Sequence, residues 1–418
     1  MCKIFSTFFL SFKNLHVLKI ILFISFSLIY NFRIFANKFA KIQCTRHKKR
    51  MNSFVLLSFF RIFAENNIIM NRLRILFAVV FCSVVTVVSA QKKYSVYGIG
   101  FYNQENLFDT CHDEGKNDYE YLPTGSNRWN ARKYTHKLQN MARALADMGT
   151  DMLPNVGCAV IGLSEVENAR ALSDLVDQEP LRARGMKFVH IEGPDSRGVD
   201  CAMLYNPSLF TVEDVQLPPY VPELPEDSTF KTRGFLTVKG ILANERVAII
   251  VCHWPSRYST SFYRESAARQ VRVIKDNLLL EDPERKVFVM GDLNDDPTNK
   301  SMTEGLSCKS EVNKVGAGDM YNPWYNVLVK QGIGTLAYNG AWNLFDQIVM
   351  TPNAIDKKGN KDYSGLTYLK CQVFRRDYLI QQEGKYKGNP KRTHAGGVWL
   401  DGYSDHLPVV VYLVKEQQ

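Results

Sequence analysis

The sequence predicts an α/β fold: a four-layer αββα sandwich in which two mixed, largely antiparallel sheets are flanked by helices. Short apolar runs typical of buried strands recur between residues 94 and 414, and three longer segments among them are predicted as helices. Polar residues follow the ends of some strands and precede the starts of others. If these residues meet at one edge, the strands run in both directions, which excludes a purely parallel sheet.

The individual elements follow from local patterns along the chain. In residues 131–148 apolar side chains recur every three or four positions, which predicts an amphipathic helix. Residues 287–290, VFVM, are apolar without interruption, which is typical of a strand buried on both faces. The other predicted helices cover residues 168–177 and 261–280. The predicted strands cover residues 94–102, 158–163, 199–205, 234–240, 246–252, 287–290, 346–350 and 408–414.

A secretory signal peptide is predicted at residues 70–90. Arg72 and Arg74 form its positive end, residues 75–88 form its apolar core, and small residues precede a cleavage site near Ala90. The apolar run is short for a membrane span and no stop-transfer pattern follows it. We therefore expect a secreted or periplasmic protein without a stable membrane anchor.

Residues 1–69 precede this signal peptide, although a signal peptide should begin a protein. They are rich in Phe, Ile, Asn and Lys and have no clear amphipathic period. We interpret them as an upstream leader from a wrongly placed start codon, with translation beginning at Met70; the alternative is a membrane segment at residues 18–30. Residues 91–418 then form one large domain.

The net charge of +10 comes from residues 1–90, which comprise the leader and the signal peptide. Residues 1–90 contain 13 Lys and Arg but one acidic residue, which leaves 39 basic and 41 acidic residues in 91–418. This composition gives no support for a broad nucleic-acid-binding surface, so any such binding needs a local patch.

Six cysteines remain in residues 91–418, and no CxxC or Cys/His spacing predicts a zinc site. Cys158, Cys201 and Cys252 lie in apolar strand runs and are predicted to be buried as small hydrophobic residues. A disulfide among the other three remains open, because its pairing cannot be read from the sequence. These are Cys111, Cys308 and Cys371.

Asp292 and Asn294 follow the strand at residues 287–290 and project in the same direction, because side chains two apart share a face. The carboxylate can order a water molecule, and the carboxamide can donate to a phosphoryl oxygen. An Asp/Asn turn would also account for GDLNDD. The same pattern recurs at other strand ends, which favours a site. Asn103, Glu165 and His253 follow strands, and Asp346, Asp405 and His406 precede them.

Seven segments then carry a resemblance to a known superfamily. They are FYNQENLFD, IGLSEVEN, DSRGVD, VCHWPSR, VMGDLND, FDQIVM and SDHLPVVV, in this order between about residues 94 and 414. Together they resemble the endonuclease/exonuclease/phosphatase superfamily of deoxyribonuclease-I-like enzymes, in a secreted bacterial-type form. The resemblance implies the sandwich fold and hydrolysis of phosphate esters with Mg²⁺ or Mn²⁺.

The resemblance also implies roles on the metal and phosphate side. Glu165 is similar to the principal metal-ligating glutamate, although Glu167 projects on the same face. Asp405 resembles the metal-side carboxylate, and Asn103 resembles the residue that orients the metal and the phosphate. Arg197 could bind the phosphate as an arginine fork or form a structural ion pair.

The remaining roles concern proton transfer. His406 resembles the catalytic imidazole, and Asp346 resembles the carboxylate that fixes its tautomer. Asp292 is expected to order the nucleophilic water, and Asn294 to donate to the phosphate. His253 resembles a second catalytic histidine that contacts the phosphate or the leaving oxygen. The implied mechanism is direct attack by water, without a covalent intermediate.

A nuclease is the first choice of substrate class, because NQENLFD with HWPSR looks more like secreted nucleases than like the lipid enzymes. A sphingomyelinase-like phospholipid phosphodiesterase and a phosphomonoesterase are the alternatives. Outside enzymes, the alternative is a catalytically dead binding domain, which is disfavoured because each expected site position carries a competent residue. The expected partner is a phosphate-ester substrate, with nucleic acid preferred, and the expected assembly is a monomer.

Overall fold

The computed structural model describes residues 92–417, apart from Pro225, Asp227 and Ser228. The predicted leader, its alternative membrane segment and the predicted signal peptide lie outside the described residues. Among the helices within the described part of the chain, none combines the length and the hydropathy that a membrane span requires.

The elements are numbered here in chain order. The strands are β1 (Tyr94–Leu107), β2 (Val160–Val166), β3 (Lys187–His190), β4 (Asp200–Tyr205), β5 (Phe210–Gln216), β6 (Leu236–Leu242), β7 (Glu245–His253), β8 (Lys286–Asp292), β9 (Cys308–Lys309), β10 (Met320–Tyr321), β11 (Leu336–Tyr338), β12 (Ala341–Asn343), β13 (Asp346–Met350), β14 (Thr367–Val373), β15 (His394–Ala395), β16 (Val398–Trp399) and β17 (Val409–Glu416). The α-helices are α1 (Ala131–Asp147), α2 (Ala169–Val176), α3 (Glu179–Arg182), α4 (Ser261–Glu281) and α5 (Trp324–Gln331).

Two large mixed sheets contain most of these strands. The first sheet has the order β14-β17-β1-β2-β4-β3, and the second has the order β5-β6-β7-β8-β13-β10-β9. In the first sheet β1 pairs with β2 in parallel, and in the second β7 pairs with β8 and β9 with β10 in parallel; the remaining pairings are antiparallel. This topology confirms the predicted pair of mixed, largely antiparallel sheets.

The layers follow from the alternation of side chains along each strand. On β8, Phe288 and Met290 pack into the core between the sheets, whereas Val287 and Val289 pack on the outer face with residues of α4. The outer face of the first sheet packs against α1, α2 and α3 in the same way. Both faces of the central strands are therefore apolar, as expected for buried strands, and the four-layer sandwich is confirmed.

Asparagine side chains begin the two helices that cover the first sheet. The Asn130 side chain accepts a hydrogen bond from the Lys133 amide at 3.1 Å, and Asn168 accepts one from the Ala171 amide at 2.9 Å. These N-caps satisfy amides that have no partner within the helix. Asn168 directly follows the Glu165–Glu167 segment, so its cap also sets where the chain turns away from the end of β2.

Three strands that the sequence analysis missed lie at edges of the sheets. β3 and β14 are the two edges of the first sheet, and β5 is an edge of the second. Apart from Phe210 and Thr367, the side chains of these strands are partly buried or exposed. An edge strand has one neighbour and more solvent contact, so its apolar pattern is weaker than that of a central strand.

The six described cysteines are unpaired. Cys158, Cys201 and Cys252 are buried, as predicted, while Cys111 is exposed and Cys371 is partly exposed. Burial raises the pKa of the Cys158 thiol to about 12, so it is inert as a nucleophile at neutral pH.

The parallel pairing of β7 with β8 depends on a glycine. A Cβ atom on Gly291 would lie 2.1 Å from the carbonyl oxygen of Cys252, which is its partner on β7. We expect Gly291→Ala to lower the free energy of unfolding by about 3 kcal/mol or more, because one strand must move. Urea denaturation measures this change.

The control is Gly318→Ala, because no atom of the described residues lies within 4 Å of a Cβ at Gly318. We expect this variant to retain the stability of the wild-type protein within about 1 kcal/mol. Equal losses in the two variants would contradict the steric role of Gly291.

Glu245 ties the two sheets together at the start of β7. Its carboxylate accepts hydrogen bonds from Lys286 on β8 and from the Leu366 amide, and it lies 2.9 Å from the Lys415 ammonium on β17. Burial would raise the pKa of Glu245, but the two ammonium groups outweigh it and hold the pKa below its ordinary value. The charged carboxylate therefore stabilises the folded protein.

We expect Glu245→Gln to lower the free energy of unfolding by about 2 kcal/mol at pH 7. A lowered pKa contributes stability above the ordinary value of 4.5, and this contribution is lost as the pH falls through the folded-state value. The difference between the wild-type protein and the variant should therefore shrink in urea denaturation below pH 4.5. The exposed pair of Glu281 with Lys239 is the control, because Glu281→Gln should cost about 0.5 kcal/mol or less. A difference that is the same at every pH would contradict the charge-based account.

Candidate active site

The registers of three neighbouring strands bring a histidine and two carboxylates together. In the parallel pair His253 of β7 lies opposite Asp292 of β8, and in the antiparallel pair Asp292 lies opposite Asp346 of β13. β13 runs against β8, so the first residue of β13 meets the last residue of β8. This arrangement is the one that the sequence analysis required of strands running in both directions.

Four residues around these strand ends have the left-handed backbone conformation that non-glycine residues rarely adopt. Their φ angles are 46° at Glu105, 59° at Asn106, 60° at Glu165 and 50° at Asn294. The β1–β2 and β2–β4 registers shift at the first three, so each strand carries a bulge there. Bulges redirect side chains, and strained backbone tends to gather at functional sites. The conformation thus points to this edge as the functional one.

His406 forms the centre of the site with Asp346. Its Nδ1 lies 2.7 Å from Asp346 Oδ2, and its Nε2 lies 3.8 Å from Asp292 Oδ2. Burial alone would lower the pKa of His406, but the carboxylates of Asp346 and Asp292 raise it well above its ordinary value. The imidazole is therefore held in its charged form, with Nε2 directed toward Asp292.

Asp292 is held by hydrogen bonds on both oxygens. The Asn103 carboxamide donates to Oδ2 at 3.0 Å, and the Asn294 backbone amide donates to Oδ1 at 3.0 Å. Burial raises the pKa of Asp292 to about 6, although His406 opposes the shift. A carboxylate with such a pKa can accept a proton near neutral pH.

His253 is the second histidine of the site, and it is neutral. Its Nε2 lies 3.7 Å from both Glu165 Oε1 and Asp292 Oδ2, while Nδ1 is buried without a hydrogen-bond partner among the described residues. Burial lowers the pKa of His253 well below its ordinary value, and the positive charges of Arg233 and Arg197 add to the shift. Since Nε2 faces two carboxylates and Nδ1 has no acceptor among the described residues, the tautomer with the proton on Nε2 is the one whose N–H group has acceptors nearby.

Arg233 positions the end of β7, a role that the sequence analysis missed. Its guanidinium donates to the carbonyl oxygens of His253 at 3.2 Å and Trp254 at 3.0 Å, and to Asp195 Oδ2 at 2.8 Å. Arg233 lies in an irregular segment before β6, where no local pattern marks it. Its contacts arise only from the tertiary fold.

Arg197 and Asn294 lie at the margin of this group. The Arg197 side chain is 46% exposed and its Nε lies 3.8 Å from Asp195 Oδ1. Both predicted roles of Arg197, phosphate binding and a structural ion pair, are thus compatible with its position. The Asn294 carboxamide donates to the Trp254 carbonyl at 2.9 Å, so it holds the end of β7.

Glu165 has the properties expected of a metal ligand. Its Oε2 accepts a hydrogen bond from the Asn106 amide at 3.0 Å, and among the described residues no hydrogen bond reaches Oε1. The Asn103 carboxamide oxygen nearby accepts from the Glu105 amide at 2.8 Å and keeps a second lone pair. Unpaired oxygen donors beside the buried carboxylate of Asp292 suit a hard divalent cation.

Asp405 is paired with an arginine that the sequence analysis did not single out. Its Oδ2 accepts a hydrogen bond from Arg392 Nη2 at 3.0 Å, and the Arg392 Nε donates to Glu105 Oε1 at 3.2 Å. The guanidinium therefore joins two carboxylates. The metal-side role of Asp405 stays a prediction, and Glu105 is an additional acidic residue, two positions after Asn103, to which the sequence analysis gave no role.

A buried lysine supports this part of the site from α1. Lys137 donates to Thr393 Oγ1 at 2.7 Å and to the Tyr403 carbonyl oxygen. Burial lowers the pKa of Lys137 to about 8, although the Glu105 and Asp405 carboxylates oppose the shift. Burial and the Asp405 charge raise the pKa of Glu105 to about 7. Lys137 thus connects α1 to the segment that leads into His406.

A model of the Endonuclease/Exonuclease/phosphatase family matches residues 98–415. No curated protein sequence is significantly similar to this chain.

Three solved structures are among those similar to this chain. An endonuclease/exonuclease/phosphatase family protein from Bacteroides thetaiotaomicron is 15% identical, with 78% of this chain and 97% of that chain covered and a TM-score of 0.48. A mannosyl-6-phosphatase from Bacteroides thetaiotaomicron VPI-5482 is 16% identical, with coverage of 76% and 99% and a TM-score of 0.46. D. rerio TDP2 complexed with a single strand DNA product is 14% identical, with coverage of 76% and 99% and a TM-score of 0.45. The family of this chain is therefore shown by the family model and not by these structures.

Proposed function

Because this chain belongs to the Endonuclease/Exonuclease/phosphatase family and is therefore a phosphoric ester hydrolase, we propose that it is a secreted, metal-dependent phosphodiesterase that acts on nucleic acid. The catalytic part of this proposal is supported by one observation, the contacts of His406 with Asp346 and Asp292. His406 Nδ1 lies 2.7 Å from Asp346, and His406 Nε2 faces Asp292. The same edge presents the unpaired Glu165 oxygen.

Asp292 and the two histidines have distinct roles in the proposed mechanism. Asp292 orders the attacking water and accepts its proton while a new P–O bond forms and the P–O bond to the leaving oxygen breaks in line. His406, held by Asp346, stabilises the charge that develops on the phosphoryl oxygens. The Nε2–H group of His253 donates to the phosphate or the leaving oxygen.

Glu165, with the Asn103 carboxamide beside it, would hold the Mg²⁺ or Mn²⁺ ion. When bound, this ion neutralises charge on the phosphate. We propose Glu165 as the principal ligand because Asp405 is paired with Arg392. Asn103 also donates to Asp292, so it links the metal side to the carboxylate that orders the water.

We prefer nucleic acid as the substrate because of the segments NQENLFD and HWPSR, and the signal peptide predicted at residues 70–90 is the reason for proposing secretion. A phospholipid phosphodiesterase and a phosphomonoesterase share the same catalytic groups and differ in the substrate presented. Residues 91–418 should be incubated with plasmid DNA, RNA, sphingomyelin and p-nitrophenyl phosphate, with and without divalent metal. Cleavage of DNA or RNA supports the proposal, and turnover of a different substrate alone contradicts it.

Asp292→Asn and His406→Ala should each lower kcat by about 10²–10⁴-fold, because each removes a group that acts on a proton or on charge in the transition state. Phosphodiester hydrolysis at saturating metal measures the loss. The control is His136→Ala, which removes a half-exposed histidine on α1 that pairs with Asp401 outside the site. Near-wild-type activity in Asp292→Asn, with the fold verified by circular dichroism, would contradict the mechanism.

EDTA should abolish hydrolysis, and Mg²⁺ or Mn²⁺ should restore it. The same ions should raise the Tm of the wild-type protein but have a much smaller effect on Glu165→Gln, because a neutral amide binds a divalent cation weakly. Differential scanning fluorimetry over a metal titration measures the shift, with Glu281→Gln as the carboxylate control. Full activity in EDTA would contradict the proposed dependence of hydrolysis on a metal ion.

A further inference from the structure

A cavity opens beside the segment that leads into His406. It has a volume of about 870 Å³ and lies between the turn that joins β11 to β12, the loop at residues 381–390 and the β15–β16 ribbon. Arg392 and Asp405, which are bonded to each other, both line it. Asp405 directly precedes His406, so the cavity lies next to the segment that carries the catalytic imidazole. Its volume falls in the range that encloses ligands of nucleotide size.

Two tyrosines at loop tips line this cavity. Tyr338 is 69% exposed at the end of β11, and Tyr386 is 50% exposed in the 381–390 loop. Tyrosines left this open keep an apolar ring face in water, which favours stacking of a flat ligand. Lys385 lies 5.4 Å from the centre of the Tyr386 ring and covers part of it. The two tyrosines therefore suit a ligand that contains a planar ring.

The charges that line the cavity do not fit a long polyanion. Lys385 and Arg392 are balanced by Glu383 and Asp405, and Arg392 is already paired with Asp405. A channel that follows a nucleic-acid backbone needs an excess of positive charge. Three carboxamides among the lining residues instead offer donors and acceptors to the edge of a neutral ring. They are Asn339, Gln381 and Asn389.

We infer that this cavity binds one nucleoside of the substrate, stacked on Tyr338 and Tyr386, next to the scissile phosphate. The inference rests on the proposed function and narrows it. The enzyme selects a nucleoside phosphodiester by its base and not by a duplex backbone, and a single-stranded segment or end presents such a base. Removing a stacking ring should weaken recognition of the nucleoside and leave the chemistry at phosphorus unchanged.

The test compares two phosphodiesters with the same leaving group. Thymidine 5′-(p-nitrophenyl phosphate) carries a nucleoside, and methyl p-nitrophenyl phosphate does not. In the wild-type protein kcat/KM should be at least about 10-fold higher for the thymidine ester, since stacking of one base contributes about 1–3 kcal/mol. In Tyr386→Ala and Tyr338→Ala this ratio should fall by about 5-fold or more through KM, while the methyl ester is hydrolysed as before.

Tyr94→Ala is the matched control, because Tyr94 is 44% exposed at the start of β1 and does not line the cavity. Equal kcat/KM for both esters in the wild-type protein would overturn the nucleoside site and leave the proposed phosphodiesterase intact. A preference for the p-nitrophenyl ester of glucose 6-phosphate over the thymidine ester would also overturn it. If no ester is hydrolysed with metal present, the proposed function itself fails. An unchanged ratio in both tyrosine variants would refute the stacking role.

Discussion

The pairing of β8 with a parallel neighbour on one side and an antiparallel neighbour on the other is the constraint on which the site depends. It places Asp292 between His253 and Asp346, although these residues are far apart in sequence. The pairing itself depends on the absence of a side chain at Gly291, where β7 and β8 approach closely. The packing on both faces of β8 holds this register, because a slip by one residue would exchange Phe288 and Met290 with the smaller Val287 and Val289, and neither core would then be filled as well.

The backbone is strained where the strands end at the site. Glu105, Asn106, Glu165 and Asn294 have positive φ angles, and each such conformation costs about 1–3 kcal/mol. Hydrogen bonds made by the same residues offset part of this cost, as where the Asn106 amide donates to Glu165 and the Asn294 amide donates to Asp292. The irregular backbone thus directs side chains toward the site, and its amide groups donate hydrogen bonds to the carboxylates of Glu165 and Asp292.

The two sides of the site differ in how their charges are balanced. Around Asp292 the balance comes from the charged His406 and from amide donors, and Glu165 keeps an unpaired oxygen. Around Glu105 and Asp405 the balance comes from Arg392, with Lys137 buried behind them. This difference is the reason that we propose the cation site beside Glu165, whereas the Arg392 side leads into the cavity with balanced charges.

The sequence by itself determined the layered fold, the family and the set of polar residues at the strand ends. Apolar alternation and motif order depend on local residue types, so they can be read directly. The contact of His406 with Asp346 was expected on the strength of the resemblance, and the structure brings the two together. The edge strands were missed because half-exposed strands have weak patterns.

Only the tertiary structure decided the rest. Arg233, Lys137 and Arg392 act through contacts with residues distant in the chain, and a lone basic residue in a loop or helix has no local signature. The same holds for the partner of Asp405 and for the cavity with its two exposed tyrosines, which three separate segments form together. Sequence patterns report what each segment buries, whereas charge pairing and cavities depend on which segments the fold brings side by side.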